Sequence, residues 1–197
     1  SMVKIISMSK KLIAIASGDW HIHRWQAFDK DNSRLNWSIL AAKMVMQQCY
    51  KHGVPLLFTG DLIHNPNNMD NLVFAKVIEL FLNSNVDTIA ISGNHDMCSK
   101  NPENGSSPSY VRTLAACSNT RIQMAWDDIS FTHKLNKTTW VYGMDYHDND
   151  TDLINELNAL EHSEEFQDNK NKKILMLHTD LPGATTPSGF SVGEAKN

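Results

Sequence analysis

The chain has 197 residues, of which 41% are apolar and 20% are charged, and its 18 basic and 22 acidic residues give a net charge of −4. At this length about two-thirds of the unfolded surface can be buried, so we expect one domain, residues 1–197, that needs no disulfide to fold. The acidic balance argues against a strongly basic nucleic-acid-binding protein, and the three cysteines lack the spacing of a disulfide framework, which indicates reduced thiols.

The first eleven residues contain short apolar runs that Lys10 and Lys11 interrupt. We interpret residues 1–11 as an N-terminal extension and not as a signal peptide, because no small-residue cleavage site follows. No apolar run in the sequence reaches the roughly 18 residues that a membrane span requires, so no membrane partner is expected. Together with the reduced cysteines, these features predict a cytoplasmic protein.

The first half of the sequence alternates short apolar runs with amphipathic segments. The apolar runs at 12–16, 55–59 and 88–92 each end close to a glycine, which is typical of buried strands. Apolar residues at steps of three and four predict helices over 33–52 and 69–82. This order of strand, helix, strand, helix and strand implies parallel strands joined by right-handed crossovers.

The second half predicts a different rhythm, which begins with a loop at 101–109. Short helices are predicted at 110–117 and 153–160, and a last buried strand is predicted at 173–177. Between the two helices, short strands joined by turns are typical of a meander, at 121–125, 129–132 and 139–143.

Polar side chains of the kinds that bind metal ions follow four of the predicted strands. The residues after the first three strands are, in order, Asp19, His21 and His23; Asp61 and His64; and Asn94, His95 and Asp96. His178 follows the last predicted strand. In an open α/β sheet the carboxyl ends of parallel strands line one crevice, where ligands bind. A mixed set of carboxylate, imidazole and amide groups suits divalent ions such as those of Mn, Fe, Zn or Mg.

Each piece of this pattern also has a purely structural interpretation. Asp19 alone would more often cap a helix, and Gly60-Asp61 alone is an ordinary turn signal. His178 alone would more often be a hydrogen-bonded core histidine. The run from Gly93 to Asp96 is harder to explain in this way, because three polar chelating residues follow a buried strand. All four pieces together, each at a strand end, favour a metal site.

Four motifs in this pattern resemble those of a known superfamily. They are Asp19-x-His21, Gly60-Asp61, Gly93-Asn94-His95-Asp96 and His178, and they are similar to the first four motifs of the calcineurin-like metallophosphoesterases. The resemblance implies an α/β fold in which a two-sheet β-sandwich is flanked by helices, in the layer order αββα. It also implies a metal-dependent hydrolase that acts on phosphoric ester bonds.

The resemblance implies a role for each motif residue. Two divalent ions, with Mn²⁺ as the first expectation and Mg²⁺, Fe or Zn²⁺ as alternatives, would activate a hydroxide that attacks phosphorus. The implied metal ligands are Asp19 and His21 for one ion, Asp61 as a bridge, and Asn94 and His178 for the other. The implied catalytic residues are His95 and Asp96. His95 would lie near the leaving oxygen, and Asp96 would either orient His95 by hydrogen bonding or cap the next helix.

One position narrows the resemblance within the superfamily. His64 stands three residues after Asp61, where phosphoprotein phosphatases usually carry aspartate, and the run GDLIH is similar to the GD-x-x-H of the SbcD-like nucleases. The resemblance then implies a DNA exonuclease or endonuclease that works with an SbcC-like ATPase, with His64 as the candidate general acid. The alternatives are a small-molecule phosphoesterase of the same superfamily and a non-catalytic interaction module with this fold.

Two residues beside the first motif are candidate substrate-binding residues. His23 stands where the SbcD-like group often has glycine, and we interpret it as a surface or substrate-facing histidine. Trp20 could stack on a base, although packing in or near the core is the favoured alternative.

A fifth motif of the superfamily, G-x-H or G-H-x-H, is missing from this sequence. It would supply one more ligand to each ion, yet no histidine follows His178. Residues 180–197 are rich in residues that break helices and strands, so we expect a mobile tail or a truncated remainder. Three explanations stay open: a domain truncated at its C-terminus, which the tail favours; ligands supplied by a second chain or a homo-oligomer; and a protein that has lost catalysis.

Overall fold

A computed structural model describes residues 11–24, 31–65, 70–98, 109–117, 119–125, 133–167, 170–179, 184–185 and 191–192. The strands are β1 (Ile15–Ser17), β2 (Leu56–Phe58), β3 (Thr88–Ala90), β4 (Ile122–Met124), β5 (His133–Asn136), β6 (Thr139–Gly143), β7 (Lys172–Met176), β8 (Ala184–Thr185) and β9 (Ser191–Val192). The helices are α1 (Ser33–His52), α2 (Asn71–Leu82), α3 (Tyr110–Ala116), α4 (Asp150–Glu161) and α5 (Glu164–Gln167). The predicted strand at 129–132 lies outside the described residues, as do nearly all of the N-terminal extension, nearly all of the loop at 101–109 and most of the tail.

The first sheet has the strand order β1-β2-β3-β4, and all three pairings are parallel. Helices α1 and α2 connect its first three strands, which confirms the predicted alternation. The predicted meander is wrong at β4, because β4 pairs with β3 in this parallel sheet. Helix α3 lies between β3 and β4 in the chain, so a helical crossover returns the chain to the same edge.

The second sheet has the order β5-β6-β7. A tight turn joins β5 to β6, which are antiparallel, whereas β6 and β7 are parallel and are joined through α4 and α5. The strands β8 and β9 form a separate antiparallel pair within the predicted tail.

Alternation along the central strands explains how the two sheets pack. Leu57 and Ile89 point from the first sheet into a core that they share with Val141 and Met176 of the second. Their neighbours in sequence point the other way, so that Phe58 packs with α1 and α2, while the outer face of the second sheet packs with α4 and α5. Each fully buried side chain of this kind contributes about 1.5–3 kcal/mol to the free energy of unfolding. The layers are therefore helix, sheet, sheet, helix, which confirms the predicted αββα class.

Helix α1 follows the predicted apolar stripe. Its buried residues are Leu35, Ile39, Ala42, Met46 and Cys49, and it ends at Gly53, whose φ is 62°. Helix α2 begins after Asp70, whose carboxylate accepts a hydrogen bond from the backbone N–H of Leu72. This cap stabilises the N-terminus of the helix.

Two strands are less buried than the sequence predicts. β1 and β7 each lie at one end of the strand order of their sheet, and their residues are half-buried or exposed, apart from Met176. An edge position leaves one side of the strand uncovered, which apolar composition alone does not indicate. In the part of the chain that the structure describes, no helix combines the length and the apolar character that crossing a bilayer demands.

Candidate metal centre

The polar residues after β1 and β2 lie side by side because the two segments continue to pair beyond the strands. The backbone N–H of Asp19 donates to the carbonyl of Gly60, and that of His21 donates to the carbonyl of Asp61, both at 3.0 Å. Asp19, His21 and Asp61 have φ values of 53°, 42° and 57°, in the left-handed region that non-glycine residues rarely adopt. Such strain costs about 1–3 kcal/mol per residue and is concentrated at functional sites, which supports a functional role for these turns.

The first group of candidate ligands consists of Asp19, Asp61 and His178, and we call it the Asp61 cluster. Each residue offers one ligand atom, and these atoms lie within 4.8 Å of one another. Asp61 is buried, and its Oδ2 lies 3.4 Å from Nε2 of His21 and 3.5 Å from Nε2 of His178. Its other oxygen accepts the backbone N–H of His95 at 2.9 Å. Asp61 therefore occupies the centre of the predicted ligand set.

His178 is oriented by its two ring nitrogens. Nδ1 lies 2.9 Å from the carbonyl oxygen of Thr59, and Nε2 lies 3.0 Å from Oδ1 of Asn94. A carbonyl only accepts, so Nδ1 carries a proton and Nε2 is the nitrogen available to a ligand. Burial lowers the pKa of His178, but its hydrogen bonds to Asp61 and to the Thr59 carbonyl outweigh burial and raise it to about 9. Without a metal ion, His178 is thus the cationic partner of Asp61.

Glycines allow the two loops to approach each other closely. A Cβ atom added to Gly93 would overlap Oδ1 of Asp61, and it would lie 2.6 Å from the backbone nitrogen of Asp61 and 2.8 Å from Cε1 of His178. Gly60 has a φ of 94°, and a Cβ atom there would lie 2.5 Å from the backbone nitrogen of Gly93. The glycine in each motif is therefore required by packing at the site and not only by a turn.

The second group of candidate ligands consists of His21, His64 and His95, and we call it the histidine triad. One nitrogen from each ring lies within 4.8 Å of the others, and all three residues are half-buried. The rings of His64 and His95 are stacked with centroids 5.1 Å apart, and His95 meets His21 edge-on at 4.7 Å. Nδ1 of His95 lies 2.7 Å from the carbonyl oxygen of His64, which fixes that nitrogen as the donor. Burial lowers the pKa of His21 and favours its neutral form.

The carboxylate of Asp96 binds to backbone N–H groups on two loops of the site. Its side chain is fully buried, and its two oxygens accept hydrogen bonds from the backbone N–H groups of Gly93, Asp61 and Leu62 at 2.7–2.9 Å. Burial raises its pKa to about 6. Asp96 closes the turn Asn94–Asp96, in which it lies, and links the loops after β2 and β3. The next described helix, α3, is capped by Ser109 instead, and a catalytic role for Asp96 stays a prediction.

The two candidate substrate-binding residues differ in their surroundings. The ring of Trp20 packs against Phe58 and Phe81, with centroids 4.9 and 6.3 Å away, and its Nε1–H donates to Ser17. This packing agrees with the favoured alternative, that Trp20 packs against the core, and base stacking by Trp20 stays a prediction. His23 is half-buried, and its ring centroid lies 5.2 Å from that of His64, so it borders the histidine triad.

Sequence reasoning missed the residues that follow β6. The buried carboxylate of Asp145 accepts the backbone N–H of Ser92 at 2.7 Å and contacts the guanidinium of Arg112 at 2.8 Å. Tyr146 lines a cleft of about 300 Å³ together with Asp19, Asn94 and His178. The sequence did contain a signal that Asp145 and Tyr146 lie at the site, because they follow a strand just as His178 does. The two strands, β6 and β7, are parallel neighbours, so the residues after them lie at the same edge of the sheet.

The residues at this site fit divalent metal ions. The donors are two carboxylates, an amide oxygen and imidazoles, one of which is held in a fixed tautomer by a backbone carbonyl. A hydrogen bond from one ring nitrogen to a backbone carbonyl, as His178 makes to Thr59, is typical of histidines that bind metals. Asp61 and His178 approach the backbone of Gly93 so closely that any larger side chain there would displace them. Asp19, His21, Asp61, Asn94 and His178 come together as the sequence predicts, and their individual roles stay predictions.

Comparison with known proteins gives one positive result. The family model described as calcineurin-like phosphoesterase matches residues 14–195. The matched stretch contains every element from β1 to β9 and every motif described above. No curated protein matches the chain.

Proposed function

Because the chain belongs to the calcineurin-like phosphoesterase family, we propose that it is a metal-dependent phosphodiesterase that cleaves DNA in the manner of the SbcD-like nucleases. Family membership indicates metal-dependent hydrolysis of phosphoric esters in general. The choice of a phosphodiester, and of DNA, is the part that we add, and it depends on the surroundings of one histidine.

The position of His64 carries the proposal. Its ring stacks on that of His95 and lies 5.7 Å from that of His21, whose Nε2 is 3.4 Å from Asp61. The imidazole of His64 therefore lies next to the Asp61 cluster (Asp19, Asp61 and His178) but is not part of it. Cleavage of a DNA phosphodiester expels a sugar alkoxide, which needs a proton as it leaves. A half-buried imidazole next to the reacting centre is suited to donate that proton.

The ligand set supports two-metal hydrolysis. Asp19 and His21 would hold one ion, Asp61 would bind both, and Asn94 with His178 would hold the second; when bound, Mn²⁺ or a similar ion would supply charge neutralisation at the phosphate and a more acidic water nucleophile. The chain's own residues prepare this arrangement. The Thr59 carbonyl orients His178, the His95 N–H holds one oxygen of Asp61, and the His64 carbonyl fixes the His95 ring.

The acidic net charge bears on how DNA would be held. Phosphate contacts by Lys and Arg supply most of the affinity of proteins for DNA, and this chain has a net charge of −4. We therefore include in the proposal a partner with a basic surface, as an SbcC-like ATPase would provide. A second copy of the chain, or another chain, could supply the ligands of the fifth motif.

Hydrolysis assays with matched substrates test the proposal. In Mn²⁺, the protein should cleave single- or double-stranded DNA, and Asp61→Asn should abolish cleavage while keeping the fold. His64→Gln should slow DNA cleavage by about 10²–10⁴-fold. It should slow a bis-p-nitrophenyl ester much less, because that leaving group departs as a stable anion. The control His162→Gln removes a histidine on the surface at the end of α4 and should change neither rate.

Three results would contradict the proposal. Full activity of Asp61→Asn would exclude the two-metal assignment. Hydrolysis of a mononucleotide monoester without cleavage of DNA would favour a small-molecule phosphoesterase of the same family. No turnover of any ester at any metal concentration would favour a non-catalytic module.

A further inference from the structure

We propose that the solvent side of α1 is a docking surface for an acidic amphipathic helix of another protein. The surface consists of Trp37, Leu40, Ala41 and Met44, and we call it the α1 patch. None of these residues belongs to the candidate metal centre, and the inference does not depend on the proposed function.

The α1 patch is a second apolar face on a helix that already has one. Positions 37, 40, 41 and 44 follow the spacing i, i+3, i+4 and i+7, which brings side chains to one side of an α-helix. The buried residues of α1 lie on the opposite side, toward the core. Trp37, Leu40 and Met44 are 68%, 44% and 58% exposed, so they face solvent. Aligned apolar side chains of this size, unlike scattered ones, mark a surface that binds a partner.

A groove adjoins the α1 patch and gives a partner a place to insert side chains. It has a volume of about 350 Å³ and lies between the C-terminal half of α1 and the end of α2. Its apolar lining comes from Met46 and Leu80, which are both buried. Lys43 and Gln47 line its α1 side, and they stand three and seven positions after Leu40. A helix that packs on the patch can therefore place a row of side chains in this groove.

The charges of α1 determine the chemistry of the partner. The helix carries Arg34, Lys43 and Lys51 and has no acidic residue. Lys43 and Lys51 form no ion pair with any residue that the structure describes. The whole chain has a net charge of −4, so this basic character is a local property of α1. A partner helix with acidic residues beside an apolar stripe would complement both the apolar and the charged positions.

The same charges disfavour two other occupants of the α1 patch. In a symmetric dimer a surface meets its own copy, so two α1 helices would bring their basic residues together. Like charges that face each other across an interface oppose association. Residues 1–11 contain apolar side chains, but they also contain three lysines and no acidic residue, so they do not complement α1 either. The favoured occupant is therefore a segment of another protein.

Binding of a synthetic peptide to the full chain tests the inference. The probe is a fluorescent helical peptide of about 18 residues, which at 1.5 Å per residue is long enough to reach from Trp37 to Lys51. It has leucines on one face and glutamates beside them. A second peptide has lysine in place of every glutamate. Fluorescence anisotropy should show saturable binding of the glutamate peptide and at least tenfold weaker binding of the lysine peptide.

Substitutions on the protein locate the binding surface. Leu40→Gln and Met44→Gln should each weaken binding of the glutamate peptide severalfold, and the double variant should weaken it more than tenfold. The matched control is Ile154→Gln, which replaces an apolar residue of α4 that is 53% exposed and should keep the wild-type affinity. Glutamine favours helices and all three positions are exposed, so the variants should fold, which circular dichroism verifies. Lys43→Gln combined with Lys51→Gln should weaken binding and reduce its dependence on salt.

Several results would overturn the inference. Absence of binding, or equal binding of the two peptides, would show that α1 does not select an acidic helix. Equal affinity of the wild type and the double variant would place the peptide elsewhere on the protein. A dimer in sedimentation velocity that Met44→Gln dissociates would make a second copy the occupant. Binding to DNA or to phosphatidylglycerol vesicles that the same variant abolishes would assign the surface to those ligands. None of these measurements involves hydrolysis, so failure of the proposed function would leave them unchanged.

Discussion

The carboxylate of Asp96 accepts a hydrogen bond from the backbone N–H of Asp61 at 2.7 Å. The same carboxylate accepts from Leu62 at 2.9 Å and from Gly93 at 2.9 Å. One buried side chain thus joins the loop after β2 to the loop after β3. Asp96 therefore fixes the backbone of both loops, and one of the residues that it holds in place is Asp61, a predicted metal ligand.

Asp96→Asn should destabilise the protein markedly. An amide has one acceptor oxygen in place of two, so at least one of the buried N–H groups that Asp96 satisfies would face an NH₂ group instead. Leaving buried donors without acceptors costs about 1–3 kcal/mol each, so we expect a loss of roughly 2–5 kcal/mol in the free energy of unfolding. Urea denaturation measures this loss, and Mn²⁺ calorimetry should show weaker binding.

The matched control for Asp96→Asn is Asp87→Asn. Asp87 pairs with Arg121 at the surface, where an ion pair contributes little, so this variant should change the free energy of unfolding by less than about 1 kcal/mol. Equal stability of the Asp96 and Asp87 variants would show that Asp96 does not organise the loops.

Gly93→Ala should weaken metal binding by displacing the ligands. The backbone of Gly93 has φ −92° and ψ 178°, which alanine adopts without strain, so the effect is steric. The new methyl group would overlap Asp61 and press on His178. We expect Mn²⁺ affinity to fall by more than tenfold in a calorimetric titration.

Gly53→Ala provides the comparison for Gly93→Ala. Gly53 ends α1 with φ 62°, and a Cβ atom there would meet nothing within 4 Å. This variant should lose about 1 kcal/mol of stability through backbone strain and keep the wild-type Mn²⁺ affinity. Weakened metal binding in both variants would point to general loss of stability, and not to contact with the ligands, as the cause.

Local patterns predicted most of the fold because burial and chain direction decide it. The stripe in α1 and the three glycine-terminated strands were located to within a few residues, and they imply the parallel sheet. The same patterns failed for β4, since a three-residue strand with two buried apolar side chains carries no sign of which sheet it will join. They also overestimated the burial of β1 and β7, because edge position depends on the order of all strands.

Part of the candidate metal centre could be predicted from the sequence by one rule. The rule that ligands follow parallel strands brought together Asp19, Asp61, Asn94 and His178. It did not predict the histidine triad, which depends on ring orientations, nor the role of the Thr59 carbonyl, because every residue has a carbonyl group. The rule did not extend to Asp145, because the sequence predicts β6 as a strand of a meander, whereas β6 is parallel to β7.

The metal-free protein should become less stable as the pH rises from 7 to 9. The pKa of His178 is about 9, whereas the ordinary value is 6.5, because the interactions of His178 with Asp61, Thr59 and Asp19 outweigh the effect of burial. A histidine with a raised pKa stabilises the folded state at low pH, and this stabilisation is lost as the pH passes through the folded value. The pKa of Asp61 is lowered, so Asp61 stays ionised throughout. The loss should reach up to about 3 kcal/mol.

Denaturant unfolding of the metal-free protein at several pH values measures this trend. His178→Gln should remove most of the decline, whereas His162→Gln should retain it. Stability that stays constant or increases between pH 7 and 9 would show that His178 is not the cation paired with Asp61.

Arg112→Met should destabilise the protein and loosen the loop that carries Asn94. Asp145 is buried, and it receives both the Arg112 guanidinium at 2.8 Å and the backbone N–H of Ser92 at 2.7 Å. Removing the arginine leaves a buried charge without its cation, a change that costs about 3–5 kcal/mol in comparable pairs. Ser92 immediately precedes Gly93, so we also expect weaker Mn²⁺ binding, measured by calorimetry.

The double variant Arg112→Met with Asp145→Asn separates charge from packing. An asparagine at position 145 is neutral and can still accept the Ser92 N–H through its side-chain oxygen. The second substitution should therefore restore part of the stability that Arg112→Met removes, with a coupling of about 0.5–3 kcal/mol in a double-mutant cycle. Strictly additive losses would show that the two residues act independently. In that case the loop after β3 would depend on its other contacts, such as the hydrogen bond of 2.6 Å between the hydroxyl groups of Ser92 and Ser109.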